Sequence, residues 1–169
     1  KRKVFLEIWR VLNDNGRIVV SDIISDFEPN DEIKTNKQLW GECLAGALTE
    51  NQFLSYLEQT GFYGIEILSK SHWKTIEKIN FYSVTLRAFK YDKSSSCVFK
   101  GHKAVYNGPY KVIIDDEGHV FQRNQEVEVC TDTVNKLSHP PYQNCFTIIE
   151  PAGDLSEACC SPGDTESCC

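Results

Sequence analysis

A helical pattern that stops and passes at once into an apolar run is the feature that most constrains this chain. Val4, Phe5, Ile8, Val11 and Leu12 recur at the spacing of an amphipathic helix. Asn15-Gly16 then supplies two residue types that accept the left-handed conformation in which such helices end. Arg17-Ile-Val-Val-Ser-Asp22 follows directly, a short and mostly apolar run of the kind buried inside a sheet covered on both faces. A helix-to-strand step of this sort predicts an α/β domain. Residues 27–35, with Pro29, Asn30 and Asp31, read as a loop.

Leu39, Trp40, Cys43, Leu44 and Ala47 share one face of a helix, which predicts that the Cys43 thiol turns inward. On spacing alone such a cysteine is either a small core residue or a ligand. The next helix is fully punctuated. Thr49 and Gln52 make a capping box, Leu48 and Phe53 its hydrophobic staple, and Gly61-Phe62 after Leu57 a Schellman ending. Ile65-Glu-Ile-Leu68 and residues 81–89 read as strands, with Tyr82, Val84, Leu86 and Ala88 on one side of the second. One strand, two helices and two final strands are the closing elements of a doubly wound sheet. The opening half of such a sheet carries a glycine-rich turn, and no G-x-G-x-x-G occurs here. The chain also begins on Lys1, inside a helix, so it is expected to be the carboxy-terminal part of a longer domain.

Residues 91–96, ending in three serines, read as a linker. Beyond it the pattern changes to short β segments at Val98-Phe99, residues 104–106, 110–114, Val120-Phe121 and 127–130, punctuated by turn residues at Asn107-Gly108 and 115–118. Thr131 is placed to cap a short helix reaching Leu137, which Pro140-Pro141 cannot continue, and residues 146–149 return as a strand. Residues 97–150 are therefore expected to form a small, mainly β, α+β module. Residues 151–169 form a polar tail, expected to be disordered without a ligand.

Composition bounds the function. With 41% hydrophobic and 25% charged residues the chain is ordinary globular protein, and its net charge of −6 argues against nucleic acid as a partner. No apolar run reaches the roughly 20 residues of a membrane span, and the first residues do not form a signal peptide, so a cytoplasmic protein is expected. In that setting the eight cysteines are expected to be reduced thiols, which bind soft metals and metalloids. Cys130 and Cys145, at strand ends, are read as structural. Cys159-Cys160 and Cys168-Cys169 read equally as metalloid-capturing pairs or as incidental thiols of a polar tail. His72, His102, His119 and His139 have no ligand spacing and are read as surface or turn residues.

Trp40-Gly-Glu-Cys-Leu-Ala-Gly-Ala-Leu-Thr49 closely resembles a motif of the arsenite methyltransferases, enzymes that use S-adenosylmethionine. Two flanking stretches resemble the wider class I methyltransferase group in the same order: Glu7-Ile-Trp-Arg-Val-Leu12 with Gly16-Arg-Ile-Val-Val-Ser-Asp22, and Phe81-Tyr-Ser-Val-Thr-Leu-Arg-Ala-Phe-Lys90. Weaker similarity continues through Ala104-Val-Tyr-Asn-Gly108 and Val127-Glu-Val-Cys130, so that most of residues 1–150 is covered. The resemblance implies that residues 1–90 are the carboxy-terminal half of a doubly wound, Rossmann-like methyltransferase domain.

It further implies that Cys43 holds trivalent arsenic, and that Cys97, the thiol nearest the segment 104–108, is a second ligand. The methyl donor would be bound mainly by an amino-terminal half, and a thiol reductant such as thioredoxin or glutathione would take part. Arsenic bound by thiolates, or delivered as a thiol conjugate, needs no general base, because its lone pair is the nucleophile. Catalysis would then rest on geometry. The chain by itself is expected to be inactive. Two other readings stay open at this level: a thiol-based metalloid-binding or sensing module that needs no cofactor, and a methyltransferase acting on a small organic acceptor. The motif at residues 39–49 weighs against the second.

Overall fold

In the computed structural model, residues 1–91 and 97–151 are described, and the chain divides into two units, Lys1–Tyr91 and Asp92–Cys169. The linker expected at 91–96 and the tail with its four cysteines fall, but for Tyr91 and Pro151, outside the described residues.

In the first unit, α1 (Arg2–Val11) buries Phe5 and packs Ile8 and Trp9 against the core. Its exit is the expected one. Asn15 takes a φ of +57°, and Gly16 is demanded by crowding, since a Cβ there would lie 2.6 Å from the Asn13 carbonyl oxygen and 2.8 Å from Leu12 Cγ. Strand β1 (Arg17–Ser25) follows. It is covered less evenly than expected: Ile18 and Ile24 are buried, while Val19 on the other face is 58% exposed.

Residues 31–35 are not loop but a short helix, α2 (Asp31–Thr35). The Asn30 side chain accepts from the Ile33 N–H at 2.9 Å, and Ile33 is buried, so a cap and one apolar anchor outweigh the polar composition. Helix α3 (Lys37–Gly41), capped by Asn36, is shorter than expected, and β2 (Leu48–Thr49) pairs in parallel with the end of β1. Helix α4 (Glu50–Thr60) has the complete capping box between Thr49 and Gln52 and ends on Gly61 at φ +104°. Strands β3 (Phe62–Ile76) and β4 (Ile79–Lys90) form one long hairpin, whose turn residues Glu77 and Lys78 both have positive φ, 50° and 69°. This hairpin, with β3 running well past Leu68, was not legible because its turn lacks the Asn or Gly that normally marks one.

The sheet order is β2-β1-β4-β3. Strand β4 is antiparallel to both β1 and β3, with Arg17 opposite Phe89 and Ser25 opposite Phe81. The sheet is therefore mixed, and β1 and β3 point the same way. Its covered face packs Ile18, Ile24, Val84, Leu86 and Ala88 against Phe5 of α1 and Phe53 and Leu57 of α4. A smaller cluster of Ile33, Leu44, Ala47 and Phe81 sits under α2 and α3.

The second unit matches its expected pattern closely. Strand β5 (Lys103–Tyr106) lies between β8 (Glu126–Glu128) and β9 (Phe146–Ile149), while β6 (Val112–Ile114) and β7 (Val120–Gln122) make a separate ribbon. Helix α5 (Thr131–Leu137) closes a core of Ala104, Tyr106, Phe121, Val129, Leu137 and Phe146. Two expectations fail locally. Val98-Phe99 is not a strand, because the Val98 backbone bonds to Thr131 rather than to a ladder. Thr131 is the first helical residue, and the N-cap position belongs to Cys130.

Candidate functional site

The motif at residues 39–49 folds differently from the helix its spacing suggested. Helix α3 stops at Gly41. The Cys43 N–H donates to the Trp40 carbonyl at 3.1 Å and the Leu44 N–H to the Leu39 carbonyl at 2.9 Å, the paired bonds of a Schellman closure. Leu39 and Leu44 then meet in the same apolar cluster, as that closure favours. Cys43 occupies the left-handed position, at φ +62°, where glycine is the usual residue. Its side chain is consequently exposed, not turned into the core.

The surroundings of this turn are well braced. Trp40 Nε1 donates to the Lys34 carbonyl at 2.7 Å, and the indole lies against Gly46, where a Cβ would come within 3.3 Å of it. Glu42, next to Cys43, pairs with Lys74 of β3 at 2.7 Å. The turn is therefore tied to α2 on one side and to the long hairpin on the other.

Cys97 lies in the other unit from Cys43, and it has a partner that sequence reasoning missed. Its thiol is hydrogen-bonded to Cys130. Cys130 is buried at the start of α5, with its sulfur 3.4 Å from Thr133 Oγ1. Burial pushes the Cys130 thiol up, but hydrogen bonds from Cys97, from the Thr133 hydroxyl and from the backbone N–H groups of Thr133 and Asp132 outweigh it and hold the thiol below its ordinary range. No local signal links Cys97 and Cys130. Cys145 is half-buried against the second unit's core, as expected of a structural residue. Cys159, Cys160, Cys168 and Cys169 lie outside the described residues.

A second polar group also escaped the sequence. Asp115, Glu117 and His119 converge so that one ligand atom of each lies within 4.8 Å of the others. The cation among them is an ammonium. Lys136, only 3% exposed, reaches Glu117 at 2.9 Å and Asp115 at 3.3 Å, and His119 Nδ1 bonds Asp115 at 2.9 Å. Burial raises the Asp115 carboxyl, yet the His119 hydrogen bonds and the Lys136 charge prevail and hold it below the usual aspartate value. With Lys136 already inserted between both carboxylates, the group reads as a structural clamp rather than a metal site. His119 is thus no incidental turn residue.

Among the described residues no helix is long and apolar enough to cross a membrane. The first unit has a small apolar cleft of about 170 Å³, lined by Ile24, Phe53, Leu54, Ile67, Val84, Leu86 and Glu50, whose carboxylate is already paired with Lys70.

A mixed sheet with helices on one face, carrying an exposed, strained thiol, is the setting in which the comparisons fall. The fold aligns with the crystal structure of CrArsM, an arsenic (III) S-adenosylmethionine methyltransferase from Chlamydomonas reinhardtii, with a TM-score of 0.53, 27% identity, and coverage of 92% of this chain and 57% of that one. That structure is of a methyltransferase, and this chain is similar to it in fold. By sequence the chain is 31% identical to the arsenite methyltransferase of Homo sapiens, over 91% of this chain and 44% of that protein. It is 28% identical to the arsenite methyltransferase of Rattus norvegicus, over 100% of this chain and 54% of that protein. The one from Aquipseudomonas alcaligenes is 28% identical, over 92% and 48%. A family model described as a domain of unknown function, DUF8838, matches residues 93–167. The chain is a relative of the arsenite methyltransferases and spans about half the length of the curated relatives it matches.

Proposed function

We propose that this chain is the metalloid-handling, carboxy-terminal part of an S-adenosylmethionine-dependent arsenite methyltransferase, with Cys43 as a thiolate ligand of trivalent arsenic. The observation that carries the reading is the conformation of Cys43. A left-handed residue other than glycine costs on the order of 1–3 kcal/mol, persists only where the surrounding structure holds it, and is enriched at ligand sites. Here the thiol is held out of the core by a closed and braced turn, inside the motif that resembles the relatives.

The chemistry asked of Cys43 is ligand exchange. Its sulfur replaces an oxygen on arsenic, the thiol proton leaves with that oxygen as water, and no oxidation state changes. Cys97 is proposed as a further ligand. The lone pair remaining on trivalent arsenic is the nucleophile, so the turn needs no base beside it, and its contribution is to fix where arsenic sits. The tail thiols Cys159, Cys160, Cys168 and Cys169 are candidates for capture and delivery. A thiol reductant such as thioredoxin or glutathione, in the cytoplasm, would keep all of these sulfurs reduced.

The cleft of the first unit is lined almost wholly by apolar side chains, a setting that does not suit a charged, polar methyl donor. These residues are assigned the handling of the metalloid, and the chain alone is expected to be inactive. Order β1-β4-β3, with β1 and β3 co-directional across α4, supports a doubly wound parent sheet. The test is methyl transfer to arsenite, with thiol present, by the full-length protein and by its Cys43→Ser variant. Loss of turnover in the variant is expected, and near-normal turnover refutes the role.

A further inference from the structure

The two thiols that meet in the second unit are far apart in sequence and are brought together by backbone pairing on both sides of Cys130. The Val129 N–H donates to the His102 carbonyl at 3.0 Å, and the Thr131 N–H donates to the Val98 carbonyl at 3.0 Å. Val98 returns its own N–H to Thr131 Oγ1 at 3.4 Å. The segment that carries Cys97 is thus pinned against the start of α5. Cys130 is 1% exposed, and Cys97, hydrogen-bonded to it, is the half-exposed member of the pair.

We propose that Cys97 and Cys130 form a dithiol site that chelates one trivalent arsenical through two sulfur–arsenic bonds, with Cys97 as the entry thiol. The choice of ligand rests on the metalloid reading above, whereas the geometry does not. Two thiolates on one soft centre, each at about 2.3 Å as on zinc, stand roughly 3.8 Å apart. The backbone pairing of Val98 with Thr131 holds the Cys97 segment beside Cys130, where one soft centre can bridge the two sulfurs. The Cys130 sulfur is itself held in place, with Thr133 Oγ1 at 3.4 Å, and a thiol is the ligand type a soft centre prefers.

The exchange balances without a redox partner. With arsenite, two arsenic–oxygen bonds break as two arsenic–sulfur bonds form. Each thiol proton leaves with a hydroxyl group as water, and arsenic stays trivalent. With phenylarsine oxide the same two bonds form and a single water is lost.

The test uses the 169-residue chain with every cysteine except Cys97 and Cys130 changed to serine, reduced and mixed with phenylarsine oxide. Intact-mass measurement is expected to show one phenylarsenic group per chain that survives an excess of a monothiol and is removed by a dithiol. Adding Cys97→Ser or Cys130→Ser should weaken retention roughly 100-fold, the loss expected when a two-point attachment becomes one-point. Serine is a good N-cap residue, so Cys130→Ser should keep α5, as checked by circular dichroism. No adduct on the folded two-cysteine chain overturns the proposal. So does an adduct that either serine variant retains against the monothiol. Failure of the methyltransferase reading would register elsewhere, in the Cys43→Ser turnover assay, which does not depend on this adduct.

Discussion

The Cys43 N–H donates to the Trp40 carbonyl at 3.1 Å, and this one bond places a cysteine where helix endings ordinarily place glycine. It separates two properties that are usually entangled, stability and ligand binding. Cys43→Gly removes the steric cost of the left-handed conformation and is expected to stabilise the first unit by about 1 kcal/mol, while Cys43→Ser leaves stability nearly unchanged. Both variants should lose arsenite methylation in the full-length protein. Urea unfolding of each variant beside its turnover checks the pair of outcomes. A glycine variant that is less stable than the wild type would show that the thiol is packed, not presented.

The buried clamp in the second unit ties stability to pH. The Asp115 carboxyl lies below its ordinary value in the folded state, so its contribution is fully present above the unfolded aspartate pKa of about 3.9. It is lost as pH falls from there through the lowered folded value. Thermal melts from neutral pH downward should show the gap between wild type and Asp115→Asn closing in that acid range. At neutral pH, Lys136→Met leaves two half-buried carboxylates without their buried ammonium and is expected to cost about 3 kcal/mol. A Lys136→Met variant that unfolds like the wild type at neutral pH would remove the clamp from the account.

Helix α4 depends on its first turn. The Gln52 N–H donates to Thr49 Oγ1 at 3.3 Å, and the Thr49 N–H donates to Gln52 Oε1 at 3.0 Å. Thr49→Ala is expected to cost about 1 kcal/mol in chemical denaturation. Because Thr49 also ends the motif that carries Cys43, a loss of arsenic binding well beyond that cost would mark it as part of the ligand site.

The β3–β4 hairpin turns on Glu77 and Lys78, both at positive φ. Such a turn prefers glycine at its second position. Lys78→Gly should therefore raise stability by about 1 kcal/mol, read from the unfolding midpoint, and an unchanged midpoint would mean that the turn is not under strain.

Where the signal is local, sequence and structure agree. The stop at Asn15-Gly16, the capping box at Thr49 and Gln52, the glycine ending at Gly61 and the short strands of the second unit each depend on residues a few positions apart. The likeness to arsenite methyltransferases was also legible, because a motif is a string. Tertiary structure decided what that string does in space. Leu39, Leu44 and Ala47 have the same spacing in a continuous helix and in a helix that closes and turns, and only their burial with Ile33 and Phe81 selects the turn that exposes Cys43. The contact between Cys97 and Cys130, and the burial of Lys136 among Asp115, Glu117 and His119, arise from strand pairing and packing of residues far apart along the chain. Periodicity and capping carry no information about such encounters, because their physical range ends within a turn or two of the backbone.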